Sequence, residues 1–249
     1  PQHKVLSSCD FLGEHCCRPT MLDNNIHYPE QYLGEVNYYY ACIFGPFKPY
    51  VLAGLEKIKN LPIERVCNSH GPIITKGCRL AYVLAKYNEW SQPQKNARLT
   101  VPVFYTSAYG NTRQIAAAIR DGILAARPEA DVETFDIIDY DMGEMAERLN
   151  SSDAFALGSP TINGEAVPPA WMLLSHVDAI NNKKKPVLVF GSYGWSGEAV
   201  PNLQTRLTGL KMKVFGDGLK VCFVPSGADL ETAKELGTEF GASLARKKH

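Results

Sequence analysis

The sequence lacks any apolar run approaching the roughly 20 residues that a membrane-spanning helix needs, so no helical membrane span is expected. It lacks net charge: Lys+Arg and Asp+Glu both number 26, and no basic field points to nucleic acid or anionic lipid. It lacks a charged-then-apolar leader, because Pro1 is followed at once by a strand-like run, Lys4–Ser8, which reads as a start in mid-fold. It also lacks any C-x-x-C pair among its seven cysteines (Cys9, Cys16, Cys17, Cys42, Cys67, Cys78 and Cys222). That odd, scattered set argues against a disulfide framework or a zinc knuckle, and for small buried thiols in a reducing, cytoplasmic setting. What remains is an ordinary globular composition, 45% apolar over 249 residues, enough for one large or two ordinary domains.

The polar stretch Ser91–Ala97, in which Pro93 discourages a continuing helix, divides two textures. We place one domain over 1–92, a linker over 93–99 and a second domain over 100–249. In the second, apolar runs of strand length alternate with amphipathic helical periods: Leu99–Tyr105 with Thr112–Ala126, Asp131–Ile138 with Met142–Leu149, Ala154–Gly158 with Pro168–Ile180, Pro186–Gly191 with Gly197–Leu210, and Leu219–Val224 with Asp229–Leu244. Five βα units predict a doubly wound, five-stranded parallel sheet of the flavodoxin-like kind, α/β in class. The first domain reads as helices over Pro29–Phe44, Phe47–Asn60 and Arg79–Trp90 and a strand over Ile63–Cys67, too few strands to close a sheet alone.

Three loops in the second domain follow strands and must emerge at one edge of a parallel sheet. Thr106, Ser107, Ala108, Tyr109, Gly110, Asn111 and Thr112 form an anion cradle at a helix N-terminus, with hydroxyl and amide donors and a glycine for φ > 0. The cradle has no lysine, so a nucleotide β/γ-phosphate is excluded in favour of one terminal phosphate monoester. Ser159, Pro160, Thr161, Ile162 and Asn163 offer polar and backbone groups to a flavin ring or ribityl chain. Ser192, Tyr193, Gly194, Trp195, Ser196 and Gly197 combine glycines with two aromatics able to cover a planar ring. Together they predict a flavin mononucleotide (FMN) site.

Residues 100–249 resemble a flavodoxin-type domain. The stretches Cys9–His15, Tyr39–Tyr50, Asn68–Ile73, Tyr105–Thr112, Gly158–Asn163 and Gly194–Glu198, in this order, make the whole chain similar to the flavodiiron proteins, or A-type flavoproteins. The resemblance implies that residues 1–92 are the C-terminal part of a metallo-β-lactamase-like αββα domain. It implies that Asp10 bridges two non-haem irons and that His70 ligates one of them, as metal ligands and catalytic residues. The remaining family ligands belong to an upstream His-x-Glu-x-Asp-His motif and a later histidine that this sequence does not contain. His3, His15 and His27 are isolated, His15 is read as a motif neighbour, and His249 lies in a charged tail. Two donors cannot hold two irons that need four to six each, so a missing N-terminal half or a complementing chain is expected.

The implied activity is an oxidoreductase passing electrons from an external donor, such as rubredoxin or a reduced deazaflavin, through FMN to the irons. There dioxygen is reduced to water, or nitric oxide to nitrous oxide. A homodimer or homotetramer with head-to-tail subunits is implied too. Two other readings stay open: an FMN electron-transfer module with no gas chemistry of its own, and a first domain serving only as a dimerisation scaffold.

Overall fold

The computed structural model describes residues 3–17, 19–93 and 96–244. His249, noted above in the charged tail, lies outside them, as does part of the 93–99 linker. The chain divides into two compact units, Pro1–Gln94 and Lys95–His249.

The first unit contains β1 (Val5–Cys9), α1 (Pro29–Tyr39), α2 (Lys48–Ile58), β2 (Arg65–Asn68), β3 (Ile74–Thr75) and α3 (Leu80–Ser91). Its sheet runs β1-β2-β3, parallel across the first pair and antiparallel across the second. Helix α1 does not continue smoothly to Phe44: a π-type turn occupies Tyr40–Phe44 and a 3-10 turn Gly45–Phe47, where Pro46 removes a donor. The core gathers Tyr32, Val36, Tyr40, Val51, Val66, Ile74, Val83 and Tyr87 around Leu12. Fully buried Asp23 ties this unit together. It accepts from the backbone of Thr75 and Arg79 and from the Thr75 hydroxyl at 2.7 to 3.1 Å, so its desolvation is met by donors from β3 and the start of α3.

The second unit contains β4 (Val103–Tyr105), α4 (Asn111–Ala126), β5 (Thr134–Asp136), α5 (Met142–Ser151), β6 (Phe155–Gly158), β7 (Thr161–Ile162), β8 (Glu165–Ala166), α6 (Pro168–Ser175), β9 (Pro186–Tyr193), α7 (Ala199–Gly209), β10 (Lys213–Val214), β11 (Leu219–Cys222) and α8 (Gly227–Ser243). The main sheet is parallel, in the order β5-β4-β6-β9 and then β10 and β11, both on β9. The expected fifth strand therefore arrives in two pieces. Lys213–Val214 pairs the start of β9, and Leu219–Cys222 pairs its end. Alternate side chains serve two cores: Val103, Tyr105, Ala156, Leu188 and Phe190 face α4 and α8, while Phe104, Phe155, Leu157, Val187 and Val189 face α5, α6 and α7. That is the doubly wound arrangement with the flavodoxin-like strand order, and it puts a topological switch between β4 and β6.

Further expectations need correction. The seven cysteines are exposed or half-buried rather than buried, and Ser192 and Tyr193 end strand β9 rather than starting a loop. The stretch 158–163 is not all loop, because Thr161–Ile162 pairs antiparallel with Glu165–Ala166. Asn163 (φ 56°) and Gly164 (φ 72°) between them take the double positive φ of a type I′ turn. Strand β5 covers only 134–136 of the expected 131–138, with Asp131 reduced to an isolated bridge to Thr100. Helix α6 stops at Ser175 rather than Ile180, since the Asp178 carboxylate accepts from the backbone of Ile180 and Asn181 and starts a new turn.

Candidate functional site

In the second unit the C-terminal ends of β4, β6 and β9 carry the three predicted loops. Gly110 enters α4 with φ 84° and, as its N-cap residue, offers no side chain to the first amides. Helix α5 is capped by Asp141 and α8 by a Ser226–Asp229 capping box. The Ser107 hydroxyl accepts from the Arg113 amide at 3.3 Å. Thr106 is buried, and its Oγ1 has no hydrogen-bond partner. A helix N-terminus that begins on a glycine and holds one long Ser107 bond, beside an orphaned buried hydroxyl, is what a phosphate monoester would complete.

The other predicted residues divide into scaffold and surface. Thr112 and Ser192 are buried and share a 2.9 Å hydrogen bond that ties the cradle to the aromatic loop. Ser159 is fully buried, donates to the Pro160 carbonyl and accepts from the Val167 amide, closing the base of the β7–β8 hairpin. The Thr161 hydroxyl accepts from the Ala199 amide at 3.2 Å and links the second loop to the third. The Ser196 hydroxyl bonds Glu198 and holds its carboxyl below the usual carboxylate range. These side chains shape the rim, and buried Pro160 and Gly197 offer backbone only. Ala108, Tyr109, Ile162, Asn163 and Trp195 face solvent, with Trp195 94% and Tyr109 90% exposed. Rings so exposed pack against nothing in their own unit and are free to lie on a planar ligand. Asn111, Tyr193 and Gly194 are half-buried between the two sets. The donor set, the open helix end and the exposed aromatics fit FMN.

In the first unit Asp10 and His70 come together, His70 Nε2 lying 3.2 Å from Asp10 Oδ1. The turn that presents Asp10 is bracketed by Cys9 (φ 53°) and Leu12 (φ 69°), left-handed residues that carry Cβ atoms and mark stored backbone strain. The facing turns interlock, since the Glu14 amide donates to the His70 carbonyl and a β-carbon on Gly71 (φ 94°) would meet Glu14 Cγ at 2.5 Å. Two neighbours complete this cluster, His15, already read as a motif neighbour, and Tyr39. Tyr39, the last residue of α1, donates its hydroxyl to the Asp10 carbonyl at 3.0 Å, and burial pushes its pKa up to about 12. The His15 ring lies 5.2 Å from that of His70 and 4.5 Å from that of Tyr39. Only the Tyr39–Tyr50 stretch quoted above hinted at the tyrosine.

Among the described residues, no group of three or more His, Cys, Asp or Glu side chains is arranged to hold a metal ion. The donors among the described residues alone do not fit a pair of irons.

The flavodoxin family profile matches residues 103–237. The chain is 44% identical over 243 residues to the flavo-diiron protein FprA2 of Clostridium acetobutylicum, covering 98% of this chain and 61% of that protein. The chain belongs to the flavodiiron, or type A, flavoproteins. A type A flavoprotein of Rhodobacter capsulatus is 35% identical, over 97% of this chain and 55% of that protein. The crystal structure of the flavodiiron protein from Giardia intestinalis superposes with a TM-score of 0.63 at 27% identity, over 97% of this chain and 58% of that one. The chain thus spans 55 to 61% of the length of these two curated flavoproteins. Among the described residues no helix is long and apolar enough to cross a membrane.

Proposed function

We propose that the second unit is an FMN-binding redox domain, and that the first supplies part of a metal centre in an oxidoreductase reducing dioxygen, nitric oxide or both. The observation carrying the FMN half is the buried, unpartnered Thr106 hydroxyl beneath the glycine-led start of α4. In this reading the amides of residues 107–112 and the Thr106 hydroxyl hold the phosphate. Thr112 and Ser192 lock the cradle to the aromatic loop. Tyr109 and Trp195 cover the ring and exclude water. Bound there, FMN would supply one- and two-electron transfer.

In the first unit Asp10 and His70 are two of the metal donors, and the rest come from polypeptide outside these 249 residues. Tyr39 fixes the Asp10 turn and keeps its own phenolic proton at neutral pH. Residues 1–92 then form part of a metallo-β-lactamase-like domain. Electrons come from a separate donor such as rubredoxin or a reduced deazaflavin, in a head-to-tail homodimer or homotetramer in the cytoplasm. A carrier reading, FMN without its own gas-reducing centre, is favoured for the chain alone by the absence of a three-donor group among the described residues.

Iron and flavin analysis of the purified chain, with and without polypeptide carrying the missing donors, separates the two. A stoichiometric iron pair that is lost in Asp10→Ala supports the oxidase. Flavin without iron under both conditions leaves only the carrier.

A further inference from the structure

Arg113 occupies a position that the dipole of α4 disfavours. It is the third residue of the helix, where the positive helix end stabilises acids, and a cation there is destabilising unless an anion sits nearby. Its side chain is 61% exposed. Its one carboxylate is Asp136, at a long 3.5 Å, and it also contacts the Tyr105 hydroxyl. Asp136, at the end of β5, has a side chain only 3% exposed, and its Oδ1 has no partner. The Arg113 amide points at Ser107 of the cradle, and helical Cα–Cβ bonds tilt toward the N-terminus, so the arginine stem leads toward the same cradle. Arg113 is the only cationic residue between Val103 and Gln114.

We propose that Arg113 exchanges Asp136 for the phosphate of FMN, and so selects the phosphorylated flavin over riboflavin. The inference rests on the FMN reading above. In the exchange a long ion pair with a buried carboxylate gives way to a charge-assisted contact with a dianion, relieving the mismatch with the helix dipole. Asp136 is left facing the Tyr105 hydroxyl from β4, and the Ile138 amide and Asp139 from the turn that follows it, with no cation. Burial already raises its pKa and Arg113 opposes that rise. Removing the arginine therefore raises the Asp136 pKa further as FMN binds and favours its protonated form.

The test titrates the 249-residue chain with FMN and with riboflavin by flavin fluorescence. It compares wild type with Arg113→Gln and Arg113→Lys, with folding checked by thermal melting. The glutamine variant is expected to bind FMN at least about tenfold more weakly with riboflavin affinity unchanged, and the lysine variant to fall between. Equal losses for both flavins, or no loss, overturn the proposal while leaving the FMN reading standing. Wild-type protein that binds neither flavin overturns the cofactor reading and the proposal with it. Calorimetry in buffers of different ionisation enthalpy gives a second measurement. Proton uptake on FMN binding should be larger for wild type than for Asp136→Asn, and equal uptake overturns the exchange.

Discussion

Replacing Thr106 with valine should move apoprotein stability and cofactor affinity in opposite directions. The hydroxyl is buried and unpartnered, while the Thr106 amide is satisfied by the Gly158 carbonyl at 3.1 Å and survives the change. An unpaired buried hydroxyl costs about 1 to 3 kcal/mol, and valine fills nearly the same volume without a polar atom. Taking the lower end, the apoprotein should gain about 1 kcal/mol, seen as a rise of about 3 °C in Tm for a domain of this size. With FMN present, the variant lacks a hydrogen bond to a charged phosphate, worth about 1.5 to 3 kcal/mol, so Kd should rise about 10- to 150-fold. Riboflavin affinity should not change. Urea unfolding of the apoprotein and fluorescence titration of both flavins measure the two arms. A less stable apoprotein with undiminished FMN affinity would refute the reasoning, because the hydroxyl would then be serving the fold.

Trp195→Leu should leave stability within about 0.5 kcal/mol, as expected for a ring 94% exposed, yet weaken FMN binding and relieve quenching of flavin fluorescence. Gly122→Ala should lower Tm, since a β-carbon there would overlap the Lys234 carbonyl of α8. The cost is about 1 to 3 kcal/mol of overpacking, against about 1 kcal/mol of helix propensity gained. Lys185 donates to the Leu149 and Asn150 carbonyls, and burial pulls its pKa down to about 8 from 10.5. Between those values the unfolded chain binds more protons than the folded one, so stability should climb by on the order of 2 kcal/mol as pH rises from about 8 to 10.5. Lys185→Met, followed by denaturant titration across that range, should flatten the climb.

Much of the second unit was legible because its strands are continuous apolar runs buried on both faces and its helices carry clear 3.6-residue periods, as Ile115, Ile119 and Ile123 do on α4. Two-residue strands carry no period, so β7, β8 and β10 went unseen. The Asn163-Gly164 pair, a strong hairpin signal, was absorbed into a polar loop. The nearness of Asp10 and His70 was expected through family stretches alone, since nothing local distinguishes them from a turn aspartate and a capping histidine. Arg113 and Asp136 were invisible, because their meeting depends on β5 lying beside β4, and strand order is not written in local pattern. The predicted hydroxyls were chemically well chosen but differently employed. Ser159, Thr161, Thr112 and Ser192 bond to the protein itself, which no spacing rule separates from bonding a ligand.

The broken last strand has a consequence for the flavodoxin-like unit in solution. A parallel sheet ends in two rows of unpaired backbone groups, and long, flat rows template the strands of other molecules. Here one border is β5, three residues long, and the other is split into pieces of two and four residues. Between those pieces Gly216 (φ 58°) and Gly218 (φ 72°) turn the chain, and a β-carbon at Gly218 would meet the Val189 carbonyl at 2.7 Å. Neither border offers a run long enough for another chain to zip along. A sheet whose central strands are rich in Val, Leu, Phe and Ala is thereby shielded from joining its own copies edge to edge.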